Sequence, residues 1–162
     1  MDSPAFTFFH VAISLIAIIS GFVVIYGFLA ARKFEGVTLL FLVTTIATSV
    51  TGFFFHRDHL MPSHVVGAIS LLLLVGAIVA LYSFHARGAW RVVYVVGIVA
   101  SFYLNVFVLI IQSFQKVPFL HALAPTQSSE PAFVAVQGVA LVAFVTVGAI
   151  SLMRFPAPAT PR

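Results

Sequence analysis

The distribution of charge along the chain restricts its fold more than any other feature. Charged residues occur in short groups, and the groups are separated by uncharged stretches of about twenty residues or more. Only 7% of the residues are charged, whereas a soluble domain carries roughly 25%. Because a helix needs about twenty apolar residues to cross the hydrocarbon core of a bilayer, the sequence predicts an integral membrane protein.

Five apolar runs, each bounded by charge, proline or glycine, predict five transmembrane helices. Lipid offers no hydrogen-bond partners to an open backbone, and the runs lack the alternation of a barrel strand. We therefore expect an all-α membrane protein with one domain over residues 1–155 and a disordered tail over 156–162. The predicted spans are residues 6–30, 37–55, 64–84, 91–114 and 132–153.

The basic residues predict how the chain is oriented. Two of them, Arg57 and Lys116, lie on the side of the N-terminus. The six on the opposite side are Arg32, Lys33, Arg87, Arg91, Arg154 and Arg162. Because cytoplasmic loops carry the excess of Lys and Arg, we expect the N-terminus outside and the C-terminus in the cytoplasm. The spread of these residues over several loops also argues against a nucleic-acid partner.

A short repeat raises the question of an internal duplication. The segment Ala12-Ile-Ser-Leu15 recurs as Ala68-Ile-Ser-Leu71, and the same offset pairs Ser49 with Asn105. The first four spans are then two copies of a helical hairpin in a four-helix bundle, with the fifth span appended. Alternatively, the match arose by chance in a chain rich in these residue types.

Five of the six histidines lie at the predicted outer ends of the spans: His10, His56, His59, His64 and His121. An imidazole at the edge of hydrocarbon needs a partner, a proton role or a metal. The chain has no cysteine, so a metal site here would be built from histidine. Two imidazoles on facing helices also suit the iron of a b-type haem, and Gly21 and Gly67 would leave room for its macrocycle.

We therefore predict a transition-metal ion (Fe, Cu or Zn) or haem b at the outer face. His10 and His64 are the expected ligands, with His121 as a third ligand or as a residue covering the site. Gln112 and Gln137 are expected to orient the imidazoles or to contact a bound molecule. Such a centre would belong to a membrane oxidoreductase that exchanges electrons with a quinone or a periplasmic redox partner.

Two alternatives come from other functional classes. The histidines and amides would line a metal-free pocket for a lipid or small molecule, or the chain would be an accessory subunit of a larger membrane complex. A homo-oligomer is possible, and it would argue against the accessory subunit. The sequence has no Ser/His/Asp order or nucleotide-binding glycine loop. No acidic residue lies within a predicted span, which argues against a carboxylate-based proton pump.

Several segments together resemble small bacterial inner-membrane proteins that have no defined activity. The resemblance implies a multi-pass protein of the bacterial inner membrane, and it implies no reaction and no functional residue. The segments that carry it are Thr51-Gly52, Pro62-Ser63-His64-Val-Val-Gly67, Tyr103-Leu-Asn-Val-Phe107, Lys116-Val-Pro118 and Ala124-Pro-Thr-Gln127.

Overall fold

The computed structural model describes residues 3–55, 62–126 and 130–155, and all regular structure within these ranges is helical. Five of the helices are long and apolar enough to cross a membrane, which confirms the predicted all-helical fold. The predicted tail, His56 and His59 lie outside the described residues. The helices are α1 (Pro4–Leu29), α2 (Glu35–Phe53), α3 (Pro62–Ile78), α4 (Ala89–Lys116), α5 (Pro118–Leu123) and α6 (Pro131–Arg154).

Proline determines where several of these helices begin. Pro4, Pro118 and Pro131 each occupy the first turn of a helix. Proline suits this position because its fixed φ is helical and its missing N–H has no helical acceptor there. At α1 the preceding Ser3 adds a cap, since its hydroxyl accepts a hydrogen bond from the Phe6 N–H at 3.2 Å.

The first four helices form a ring in which each packs against the next. α1 contacts α2, α2 contacts α3, α3 contacts α4, and α4 returns to α1. α1 and α3 therefore occupy opposite corners of the ring. α6 packs on the outside, against α4 and α1, and α5 extends from α4. This arrangement leaves the interior of the bundle to α1–α4.

The dense core extends from the middle of this bundle toward the end that carries the basic loops. Its fully buried side chains include Val24, Phe41, Leu74, Val95, Ile98 and Phe102. The Phe102 ring lies directly against Gly21, where an added Cβ would come within 2.5 Å of the ring. Phe102 thus fills the space that the sequence suggested Gly21 would leave for a macrocycle.

Candidate ligand-binding cavity

The half of the bundle nearer the N-terminus contains a partly open cavity of about 540 Å³ instead of a packed core. On α1 the lining runs from Thr7 to Ile18. These residues are eleven positions apart, so the cavity extends about 16 Å along the helix axis. This depth is roughly half of a hydrocarbon core of about 30 Å.

All four helices of the ring contribute polar side chains to the cavity. The chain is 62% hydrophobic, and polar residues from four different helices nevertheless meet in this one space. Besides the histidines described below, the lining includes Ser14, Thr48, Ser49, Ser70, Asn105 and Gln112. Much of the polarity in the outer halves of these helices is therefore directed into one volume.

His10 enters the cavity from α1 and is held by the end of α2. Its Nδ1 lies 2.7 Å from the Thr51 hydroxyl, and its ring meets the Phe55 ring edge-on at 4.9 Å between centroids. The same hydroxyl lies 2.7 Å from the Ala47 carbonyl. A carbonyl only accepts, so the Thr51 hydrogen points to Ala47 and His10 Nδ1 is the donor. His10 Nε2 then carries no hydrogen in the neutral ring and is free to accept or to bind a metal.

His64 reaches the same cavity from the first turns of α3. Its ring stacks on Phe53, with 5.6 Å between centroids and 17° between the planes. Phe53, the last residue of α2, and Phe55, two residues beyond it, thus each contact one of the two imidazoles. Because α1 and α3 occupy opposite corners of the ring, His10 and His64 line the cavity from opposite sides.

The deep end of the cavity is formed by Ser70 and Asn105. Asn105 Nδ2 donates to the Thr45 hydroxyl at 3.2 Å, which joins α4 to α2. Ser70 is only 2% exposed, and its hydroxyl has no hydrogen-bond partner among the described residues. A buried hydroxyl without a partner loses the hydrogen bonds it made to water, at a cost of about 1–3 kcal/mol. The Ser70 hydroxyl is therefore an unpaired group among the described residues, beside the floor of the cavity, with its oxygen closed off from the open space.

Three of the four residues predicted to bind a cofactor line this cavity: His10, His64 and Gln112. The fourth, Gln137, is not part of the lining. Its Nε2 donates to the Phe107 carbonyl at 3.2 Å and so joins α6 to α4. The amide that sequence reasoning assigned to a cofactor holds two helices together.

His121, the predicted third metal ligand, lies on α5 with an exposed side chain and is outside the cavity lining. Over residues 3–55, 62–126 and 130–155, no three or more His, Asp or Glu side chains are grouped to hold a metal ion. The metal site of His10, His64 and His121 stays a prediction that this part of the chain does not support.

Sequence reasoning missed three residues of the site. Thr51 was named only within a segment of the resemblance and Ser70 only within the repeat. Lys116 served only for the orientation and the resemblance. The repeat held a signal for Ser70, because Ser70 is the counterpart of Ser14 in the repeated segment and both line the cavity. The signal for Lys116 was its position on the side that is poor in basic residues.

Known proteins add nothing to this geometry. No protein-family model matches the chain, and no curated protein or solved structure is significantly similar to it. The resemblance to small bacterial inner-membrane proteins therefore stays a prediction, and function has to be argued from the cavity.

Proposed function

We propose that this chain is a multi-pass membrane protein that binds a small amphipathic molecule in the cavity of the α1–α4 bundle. The observation that carries the proposal is a cavity of about 540 Å³ into which all four helices direct polar side chains. Ligand pockets typically measure about 300–1,000 Å³ and combine apolar walls with a few polar groups. The cavity fits both descriptions.

Its size favours a molecule over a single ion. One water takes about 30 Å³, so the cavity has room for on the order of ten to twenty waters. Between the polar groups, its walls are formed by aliphatic side chains such as Leu15, Ile18 and Val108. An apolar body with polar substituents satisfies both kinds of wall, because each buried polar group then keeps a partner.

Native mass spectrometry of the gently solubilised protein tests this proposal. We expect a co-purified organic mass that survives treatment with a chelator. Val108→Trp places an indole in the cavity and is expected to remove that mass. Val139→Trp is the matched control, because Val139 is 71% exposed on α6 and outside the lining. The proposal is wrong if the cavity-filling variant retains the same ligand at the same occupancy as the control.

A b-type haem bound between His10 and His64 is the second candidate, and with it membrane redox chemistry with a quinone or a periplasmic partner. One observation favours it: the two imidazoles line one cavity from opposite corners of the bundle. The Thr51 contact also orients the His10 ring as a metal ligand requires. The absorption spectrum of the purified protein distinguishes a bound haem from a metal-free ligand. Haem gives a Soret band that both His10→Ala and His64→Ala abolish, and a protein without that band excludes this candidate.

We also propose that the protein lies in the bacterial inner membrane with its N-terminus outside. The proposal also includes descent of the bundle from a duplicated hairpin. Two pairs of residues support the duplication, since Ser14 and Ser70, and likewise Ser49 and Asn105, are related by the repeat and line the same cavity. A pseudo-twofold axis through the cavity would bring such pairs together.

A further inference from the structure

We propose that the ligand of the cavity is an organic anion, with its charged group at Lys116 and its apolar body between the walls of α1 and α4. This inference rests on the proposed small-molecule function and adds the chemical class of the ligand.

The charge of the lining is the first observation. Lys116, the last residue of α4, is the one charged residue among the described residues that line the cavity, and no carboxylate accompanies it there. α1 and α3 begin at this end of the bundle while α2 and α4 end there, so the partial charges of the helix ends largely cancel. Lys116 is therefore the one full charge that the described lining presents to a ligand, and it favours a negative group.

Orientation in the membrane does not account for this lysine. Basic residues gather on the opposite side, and Lys116 is one of only two on its own side. A cation there works against the charge asymmetry that orients the protein. Binding of an anionic group at the rim of the cavity would explain why a lysine occupies this position.

The residues below Lys116 predict how the rest of the ligand lies. Gln112 is one helical turn deeper on the same face of α4, and its amide can donate a second hydrogen bond to the same anionic group. Deeper still, Leu15 of α1 and Val108 of α4 line the walls. This order, from cation to amide to aliphatic wall, matches a carboxylate or phosphate attached to an apolar chain.

Binding of radiolabelled decanoate to the protein in nanodiscs of neutral phosphatidylcholine tests the charge preference. The cavity-filling Val108→Trp variant measures how much decanoate partitions into the bilayer. This amount is subtracted from the decanoate bound by the unmodified protein. Unlabelled decanoate is expected to compete best, decanol about tenfold less well, and decylamine not at all. Decyl phosphate, compared with decanoate, identifies which anionic group is preferred.

Variants at the rim assign the preference to one residue. Lys116→Gln is expected to weaken decanoate binding about tenfold, the usual scale for losing a hydrogen bond to a charged group, and to leave decanol binding unchanged. Lys116→Arg retains the charge and should bind decanoate within a few-fold of the unmodified protein. The inference is overturned if Lys116→Gln binds decanoate normally, or if decylamine competes as well as decanoate.

The two proposals fail in different ways. If decanoate and decanol compete equally for the binding that exceeds the Val108→Trp background, the cavity binds small molecules and the anionic preference is wrong. If Val108→Trp keeps its co-purified ligand in the native mass spectrum, the small-molecule function itself is wrong.

Discussion

The turn between α3 and α4 places strain on single residues. His85 and Ala86 both have positive φ, 53° and 50°, a region that side chains with a Cβ rarely occupy. The turn follows a π-helical segment, Val79–Ser83, and closes with a hydrogen bond from the Ala86 N–H to the Ala80 carbonyl at 2.7 Å. These two residues keep an unfavourable backbone because the surrounding helices fix it.

Substitution of His85 should reveal this strain, because its side chain is exposed and contributes little packing. His85→Val is expected to lower the free energy of unfolding by about 1–2 kcal/mol, since a β-branched residue tolerates positive φ poorly. His85→Asn should leave stability unchanged or raise it, because asparagine is tolerant of this region. Unfolding in mixed micelles with increasing SDS measures the free energy of unfolding of both variants. Equal stability of the two variants would contradict the positive φ.

At the scale of residues, sequence reasoning found the histidines but not what they contact. His10 and His64 could be singled out because imidazoles are unusual at the edge of an apolar run. The bond from His10 to Thr51 spans 41 positions and depends on how α1 and α2 are rotated against each other. No local pattern contains that rotation, so the partner emerged only from the packed structure.

At the scale of helices, α3 and α4 approach each other closely at Gly97. A Cβ at this position would lie 3.0 Å from the Ala77 Cβ and 3.0 Å from the Leu73 carbonyl oxygen. A backbone oxygen cannot rotate away as a side chain can. Small residues that let two backbones approach are a common basis of helix association in membranes.

Gly97→Ala is therefore expected to push α3 and α4 apart and to lower the free energy of unfolding by about 1–3 kcal/mol, the usual cost of overpacking. Gly76→Ala, on α3, is the control. Its added Cβ would sit 3.7 Å from Val93, an ordinary contact, and alanine favours the helix by up to about 1 kcal/mol. Unfolding with SDS compares the two. If Gly97→Ala and Gly76→Ala have the same free energy of unfolding, α3 and α4 do not approach closely at Gly97.

The helices themselves were readable from the sequence, and their ends agree with the predicted spans to within about two residues except at α3. Apolar length and flanking charge or proline determine these boundaries. The π-helical end of α3 was not predicted because it depends on the tertiary turn that follows. The short helix α5 was not predicted either, since six residues carry too little periodicity to be recognised.

At the scale of the whole molecule, the bundle is divided into a packed half and a hollow half. Large apolar and aromatic side chains fill the first, and short polar side chains line the second. The sequence indicated that polarity lies toward the outer ends of the spans, on the side of the N-terminus. It did not indicate a cavity, because a void depends on how four helices are spaced, and the same polar residues would also suit direct bonds between touching helices.

The side of the membrane on which the hollow half opens decides which molecules can reach it. The chain contains no cysteine, so single-cysteine variants give unambiguous labelling. Ala5→Cys lies in the exposed first turn of α1, and Gly36→Cys begins α2 at the other end, where an added Cβ has open space around it.

With the N-terminus outside, a membrane-impermeant maleimide should label Ala5→Cys in intact spheroplasts and Gly36→Cys only after lysis. The reverse pattern would invert the topology and turn the rim of the cavity, with Lys116, toward the cytoplasm. Its ligand would then be a cytoplasmic anion. Labelling of both variants without lysis would mean that α1 does not cross the membrane. Because six basic residues against two favour one orientation, we expect the first pattern, and with it a cavity loaded from outside the cell.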